Sequence, residues 1–383
     1  MTEMSNDTPL VTVVMVAYNH AKYLRQTMAS VFAQTLTNIE IILVDNGSTD
    51  NSAEIIASFS DPRLLVIQQE NLGLSLGYNI GIERARGRYI ALGNADDEWA
   101  AEKLEKQVQA IQRENAAACF SAAQLVDDDK QPIPPDIASQ FPFSFENLPR
   151  ERMYEKFFFN TNFMCATSAL IDRTFLRERM FDPSLIQLQD FELWVYLIKK
   201  SNLVILPEKL VYYRVRMDGH NLSLDKSNRA RVLFELHLAY RKFFEDVDIA
   251  FFKSAFSEHL KNKDFAPDAF EFEKAFLYLK MSEPSIKALG IEMLYSLLSA
   301  EKARAIAARN YNLKIADLWN ISKAPIYADS QSLEGATAYA DQVTEKLRNT
   351  EAELMRLRES MRQITSGKLW KLREKVYGFL RGS

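Results

Sequence analysis

Val11-Thr12-Val13-Val14-Met15-Val16-Ala17 is an unbroken apolar run rich in β-branched residues, and it stops at a polar pair, Tyr18-Asn19. Such a run suits a strand buried on both faces of a sheet, where neither side calls for polar residues. Downstream, Leu24, Met28, Val31 and Phe32 recur at helical spacing within 21–33, and 39–44 repeats the strand pattern. Helix 53–59, strand 64–67, helix 75–86, strand 89–92 and helix 102–114 continue the alternation. Asp50 or Asn51 stands where it can cap helix 53–59, and an Asn51 cap would set Glu54 at the capping-box position. Strands alternating with helices at this spacing predict an α/β fold, a mostly parallel sheet covered by helices.

Composition narrows the function classes. The chain has 383 residues, 47% hydrophobic, which excludes disorder over most of its length. Its 47 Lys+Arg against 51 Asp+Glu give a formal charge of −4, so no nucleic-acid partner recruited by global positive charge is expected. Cys119 and Cys165 each sit among apolar neighbours and read as buried thiols. Residues 1–8 lack a basic and apolar leader, and no apolar run approaches the ~20 residues that span a bilayer. A cytoplasmic protein is expected.

The remainder divides by character. A Pro-rich loop at 131–135 feeds an aromatic stretch, and strands are expected at 166–171, 203–206 and 210–215, with helix 191–200 among them. The expected domains are an α/β domain over 9–224, a helical domain over 225–325, a coiled coil over 336–365 and a basic amphipathic tail over 367–383. Ala340, Val343, Leu347, Thr350, Leu354, Leu357, Met361 and Ile364 follow a 3-4-3-4 spacing, the seam of a coiled coil and a route to a homo-oligomer. The tail sets Lys368, Lys371, Arg373, Lys375 and Arg381 against Glu374, with Trp370 and Tyr377 beside an apolar face. That composition suits an anionic membrane surface, the inner face of the plasma membrane for a cytoplasmic protein.

Polar clusters follow four successive strands, where ligands bind in open α/β sheets. They are Ala17-Tyr18-Asn19, then Asp45-Asn46-Gly47-Ser48-Thr49-Asp50, then Asn71-Leu72-Gly73 leading to Asn79, then Asn94-Ala95-Asp96-Asp97-Glu98-Trp99. Each alone makes an ordinary turn or cap. Together, and with Gln189-Asp190-Phe191-Glu192-Leu193-Trp194 and Leu206-Pro207-Glu208-Lys209-Leu210-Val211-Tyr212-Tyr213-Arg214, they resemble the family 2 glycosyltransferases of the GT-A fold. The resemblance covers about 9–223 and implies a Rossmann-like sheet and an inverting, metal-dependent transfer of a sugar from a nucleoside-diphosphate donor to a hydroxyl.

Roles follow from that resemblance. Tyr18 offers a face to the base, Asp45 would bond the base, and Ala17, Asn19, Asn46, Asn71, Asn79, Asn94 and Ala95 would line the donor site. Asp96 would hold Mn²⁺ or Mg²⁺, hard ions suited to oxygen ligands. Asp190 would be the general base, ionised at neutral pH at an ordinary carboxylate pKa of ~3.9. Arg216 and His220, in the loop after the last strand, would close on the diphosphate, with His220 also near the metal. The implied partners are a nucleotide sugar, with UDP favoured, and a carbohydrate, glycolipid or glycoprotein acceptor in surface-glycan assembly. Two residues depart from the family pattern: Asn94 stands at its first acidic position and Tyr78 where many relatives have Arg. Asn94 keeps open a catalytically silent sugar-nucleotide-binding or scaffold protein assembled through the coiled coil. His20, His237 and His259 show no metal-ligand spacing with one another.

Overall fold

The computed structural model describes residues 8–139, 141, 143–216, 226–323 and 342–359. Its centre is an eight-stranded sheet: β1 (Val11–Ala17), β2 (Ile39–Asn46), β3 (Leu64–Gln69), β4 (Tyr89–Asn94), β5 (Glu98–Trp99), β6 (Ala118–Val126), β7 (Leu170–Asp172) and β8 (Leu203–Arg214), in the order β3-β2-β1-β4-β7-β6-β8-β5. β1 runs parallel to both β2 and β4, and β2 parallel to β3. The ends of β1, β2, β3 and β4 therefore lie along one edge of the sheet, which assembles the four polar clusters. All seven residues of β1 are buried, as an inner strand covered on both faces requires.

Helices Leu24–Phe32, Ser52–Ala57, Leu74–Arg84 and Lys103–Glu114 lie within a few residues of the expected ranges. Of the two cap candidates, Asn51 makes no side-chain cap bond, whereas Asp50 accepts from the Ser52 amide at 2.9 Å and the Ala21 amide at 3.1 Å. The second half of the sheet departs further from the sequence reading. The expected strand 166–171 is a 3₁₀ turn, Ala166–Ser168, followed by the short β7. Strands expected at 203–206 and 210–215 are one strand, β8, because register shifts around Ser121, Ala122 and Ala123 of β6 absorb the irregular stretch at Pro207.

The helical segment beyond 225 is not packed apart from the sheet. Residues up to Lys323 form one compact unit. Tyr154, Phe157 and Phe158 of helix Arg150–Asn160 share a core with Tyr240, Phe243, Phe244, Phe256 and Tyr278. The buried Tyr154 hydroxyl donates to the Phe243 carbonyl at 2.8 Å and that of Tyr278 to the Tyr240 carbonyl at 2.6 Å, so the aromatic seam carries its own polar closure. Among the described residues no helix is long and apolar enough to cross a membrane. Within the second unit, 324–383, residues 342–359 form a helix with every side chain exposed. His220 and the tail 367–383 lie outside the described residues.

Candidate functional site

The cleft is built first by asparagines that tie loops to one another. Asn19, at φ 55°, accepts from the Thr49 amide at 2.7 Å and the Asp50 amide at 3.3 Å, and its own amide donates to Ser48 Oγ. Asp45 accepts the Ser48 amide at 3.1 Å, closing the same turn. Asn46 is saturated: its oxygen takes Gln69 Nε2 and the Leu72 amide, and its nitrogen donates to Asn71 Oδ1 and the Gly73 carbonyl. A side chain at Gly47 would bring Cβ to 2.6 Å from the Asn71 nitrogen, at a φ of 78° that favours glycine. Asn79 is buried and exchanges two bonds with the Phe181 backbone, at 2.8 and 3.1 Å. Asn46 and Asn79 thus position the walls of the cleft rather than presenting free amides to it. Ala17 and Ala95 are fully buried, and Tyr18 is the exposed aromatic at the rim.

The acidic loop after β4 is held from beneath by Arg214, itself 2% exposed. Its guanidinium donates to the Asp96, Asp127 and Asp128 carbonyls and to Glu98 Oε1, and it lies over the Tyr23 ring. Asp97 faces inward, accepts the Arg214 amide at 2.8 Å, and has its carboxyl pushed well above the carboxylate range by burial and by Asp96. It is a structural acid. Asp96 remains partly open, with Oδ2 at 3.7 Å from His20 Nε2. His20 Nδ1 accepts the Tyr18 amide at 3.4 Å, which leaves Nε2–H toward Asp96. Burial lowers the His20 pKa, opposed by Asp96. His20 thus faces the Asp96 carboxylate across 3.7 Å, a placement its sequence spacing could not reveal. Arg216 lies near His20 and over the Tyr23 ring.

Asn94 and Tyr78, the two departures, meet. The buried Tyr78 hydroxyl donates to Asn94 Oδ1 at 2.8 Å, and its ring stacks on Phe181. That bond turns the Asn94 NH₂ away from the tyrosine. Burial, then the charges of Asp97, Asp96 and Asp190, hold the Tyr78 hydroxyl far above its ordinary pKa. One phenol thus feels carboxylates from β4's loop and from a helix remote in sequence.

Asp190 lies in the first turn of helix Gln189–Lys200, where the helix N-terminus favours negative charge. It is no N-cap: Oδ1 accepts the adjacent Phe191 amide at 2.8 Å and Oδ2 accepts Asn162 Nδ2 at 2.8 Å. Burial outweighs these bonds and pushes the carboxyl up to about 6, above the ordinary value expected from sequence. The loop before it is anchored from the helical segment. Glu235 of helix Arg229–Arg241, 3% exposed, accepts the Ile186, Gln187 and Leu188 amides at 3.0, 2.7 and 3.0 Å. Neither Asn162 nor Glu235 carries a local motif, and pairing with distant backbone leaves no sequence signal.

Known proteins resemble this chain in family and in fold. The model of "Glycosyl transferase family 2" matches residues 12–180. TuaG of Bacillus subtilis, a glycosyltransferase assigned to teichuronic acid biosynthesis, is 32% identical over 201 residues, 52% of this chain and 75% of TuaG. WfgD of Escherichia coli, a UDP-Glc:α-D-GlcNAc-diphosphoundecaprenol β-1,3-glucosyltransferase, is 26% identical over 57% of this chain and 82% of WfgD. Among solved structures, the S. aureus TarS fragment 1–349 shares the fold at a TM-score of 0.50 and 17% identity, over 79% of this chain and 88% of that one. With a relative this similar across three quarters of its length, and the family's matched segment carrying the strand ends that build the cleft, the chain belongs to glycosyltransferase family 2.

Proposed function

We propose that the chain moves a sugar from a nucleoside-diphosphate donor, UDP in the first instance, onto a hydroxyl of a surface-glycan or lipid-linked acceptor, with inversion at the anomeric carbon. The observation that carries this reading is that the buried Tyr78 hydroxyl, bonded to Asn94 of the loop that holds Asp96, also feels the charge of Asp190 from a helix remote in sequence. The names of TuaG and WfgD support the acceptor class, and that of WfgD supports UDP.

Asp190 accepts the acceptor hydroxyl's proton as the new C1–O bond forms and the bond to the diphosphate breaks. At a pKa of about 6 it is mostly ionised at neutral pH and remains a stronger base than an ordinary aspartate. Asn162 and the Phe191 amide orient it, while Glu235 holds the loop that leads into it. Asn94, its oxygen taken by Tyr78, presents N–H donors to an acceptor atom of the donor sugar or diphosphate. Tyr18 supplies a base-stacking face.

A divalent cation fits this donor set in a limited way. Among the described residues no cluster of three or more His, Cys, Asp or Glu side chains could cage a metal alone. Asp96 would hold Mn²⁺ or Mg²⁺ as one carboxylate beside phosphate oxygens, the usual arrangement for these ions in phosphate sites. The chemistry supplied is neutralisation of charge on the departing diphosphate. The presence of both Asp96 and Asp190 also speaks against a catalytically silent scaffold.

The test is thermal unfolding against UDP, GDP, dTDP and CMP, each with and without Mn²⁺. A ligand at a hundredfold its Kd adds about 2.7 kcal/mol, so a Mn²⁺-dependent rise with one nucleotide, lost in Asp96→Asn, is expected. No rise with any of them defeats the donor-site reading.

A further inference from the structure

We propose that the chain pairs with a second copy of itself through a parallel, in-register coiled coil built on the helix 342–359. The helix leaves its apolar seam open: Val343, Leu347, Leu354 and Leu357 are 47%, 61%, 47% and 60% exposed. Side chains that large and that exposed, recurring every three and four residues, form a stripe that needs a matching stripe. With Leu347 and Leu354 at a, and Val343, Thr350 and Leu357 at d, the flanking g positions are Lys346 and Glu353 and the flanking e positions are Glu351 and Arg358.

Charge complements a parallel, in-register pair of copies. In a parallel, in-register pair each g residue faces the e residue five positions on. Lys346 then meets Glu351 of the partner subunit, and Glu353 meets Arg358 of the partner subunit, each twice by symmetry. Thr350, whose hydroxyl is turned back onto the Lys346 carbonyl at 2.8 Å, faces its own copy in the parallel register and costs no unpaired hydroxyl there.

The experiment uses the full chain. Sedimentation equilibrium is expected to give twice the 44.0 kDa monomer mass. Leu354→Cys, oxidised, is expected to give an interchain disulfide that the wild type, with Cys119 and Cys165 both buried, does not form. Lys346→Glu should weaken the dimer by roughly tenfold, and adding Glu351→Lys should restore it. All these positions are exposed, so the unfolding midpoint of the unit ending at Lys323 serves as the control and should not move. A monomer throughout, a dimer indifferent to Lys346→Glu, or a dimer of the Leu354→Cys variant that fails to cross-link overturns the proposal, the last by showing another direction of pairing.

Discussion

Asp190→Asn should abolish turnover and at the same time stabilise the protein at neutral pH. In the fold, burial raises the Asp190 carboxyl from the ordinary 3.8 to about 6. Between those values the native state binds more protons than the unfolded chain, so wild-type stability falls as pH rises through that window. Above pH ~6 the full penalty is present, about 3 kcal/mol at roughly 1.4 kcal/mol per pH unit. Below pH ~4 both states are protonated and the penalty vanishes. The amide carries no charge to desolvate, but it loses one of the two acceptor bonds, from Phe191 or Asn162, at a cost of about 1 kcal/mol. The net gain is about 2 kcal/mol at pH 7.5. For a unit of this size, at ~2.1 cal/mol/K per residue of unfolding entropy, that is a rise of about 3 °C. Thermal unfolding of both proteins from pH 4.5 to 7.5 measures it, and the gap should open with pH. Activity closes the argument, because kcat/KM of the wild type should fall on the acid side with a midpoint near 6. Two stability curves that stay parallel over that range would refute the assignment of a buried, desolvated base.

Glu235→Gln keeps the side chain's shape but turns one of its two accepting oxygens into a donor facing backbone amides. It should lower the midpoint by about 3 °C and kcat by roughly 10–100-fold, with the donor KM nearly unchanged, since the loop it anchors leads to the base and not to the nucleotide. Tyr78→Phe removes the hydroxyl that orients Asn94 and should weaken nucleotide binding by roughly 3–10-fold in a calorimetric titration; equal affinity would mean that Asn94 does not contact the donor. His20→Ala should reduce Mn²⁺ affinity roughly 10–100-fold, read by the Mn²⁺ concentration that half-saturates the nucleotide's thermal shift.

The first half of the sheet was readable because its signals are local. β1 is an apolar run that ends where the chain turns polar, and each following strand repeats that edge within a few residues. The acidic loop is similarly compact, so Asp96 stood out beside Asp97, although only packing shows that Asp97 is turned inward onto the Arg214 amide. Beyond β4 the signal thins. β6 gave no clear strand pattern in its Ala-rich sequence, and β8 was broken in two by Pro207, whose missing N–H a bulge accommodates.

Asparagines mark the limit more sharply. In sequence, Asn46, Asn71 and Asn79 look alike as polar residues at or after a strand end, and all could face a ligand. The structure gives the amides of Asn46 and Asn79 to backbone and side-chain partners, and commits the Asn94 oxygen to the Tyr78 hydroxyl. The family and the alternation of strands and helices up to β4 were within reach of the linear chain, since they rest on local patterns along it, and the family resemblance is what singled out Asp96 and Asp190 as candidates. The strand order, the Asp190 pKa, the Tyr78–Asn94 bond, the placement of His20 beside Asp96 and the anchoring by Glu235 depended on tertiary structure. Desolvation and hydrogen bonding are set by which atoms exclude water around a group, and those atoms come from segments the sequence keeps far apart.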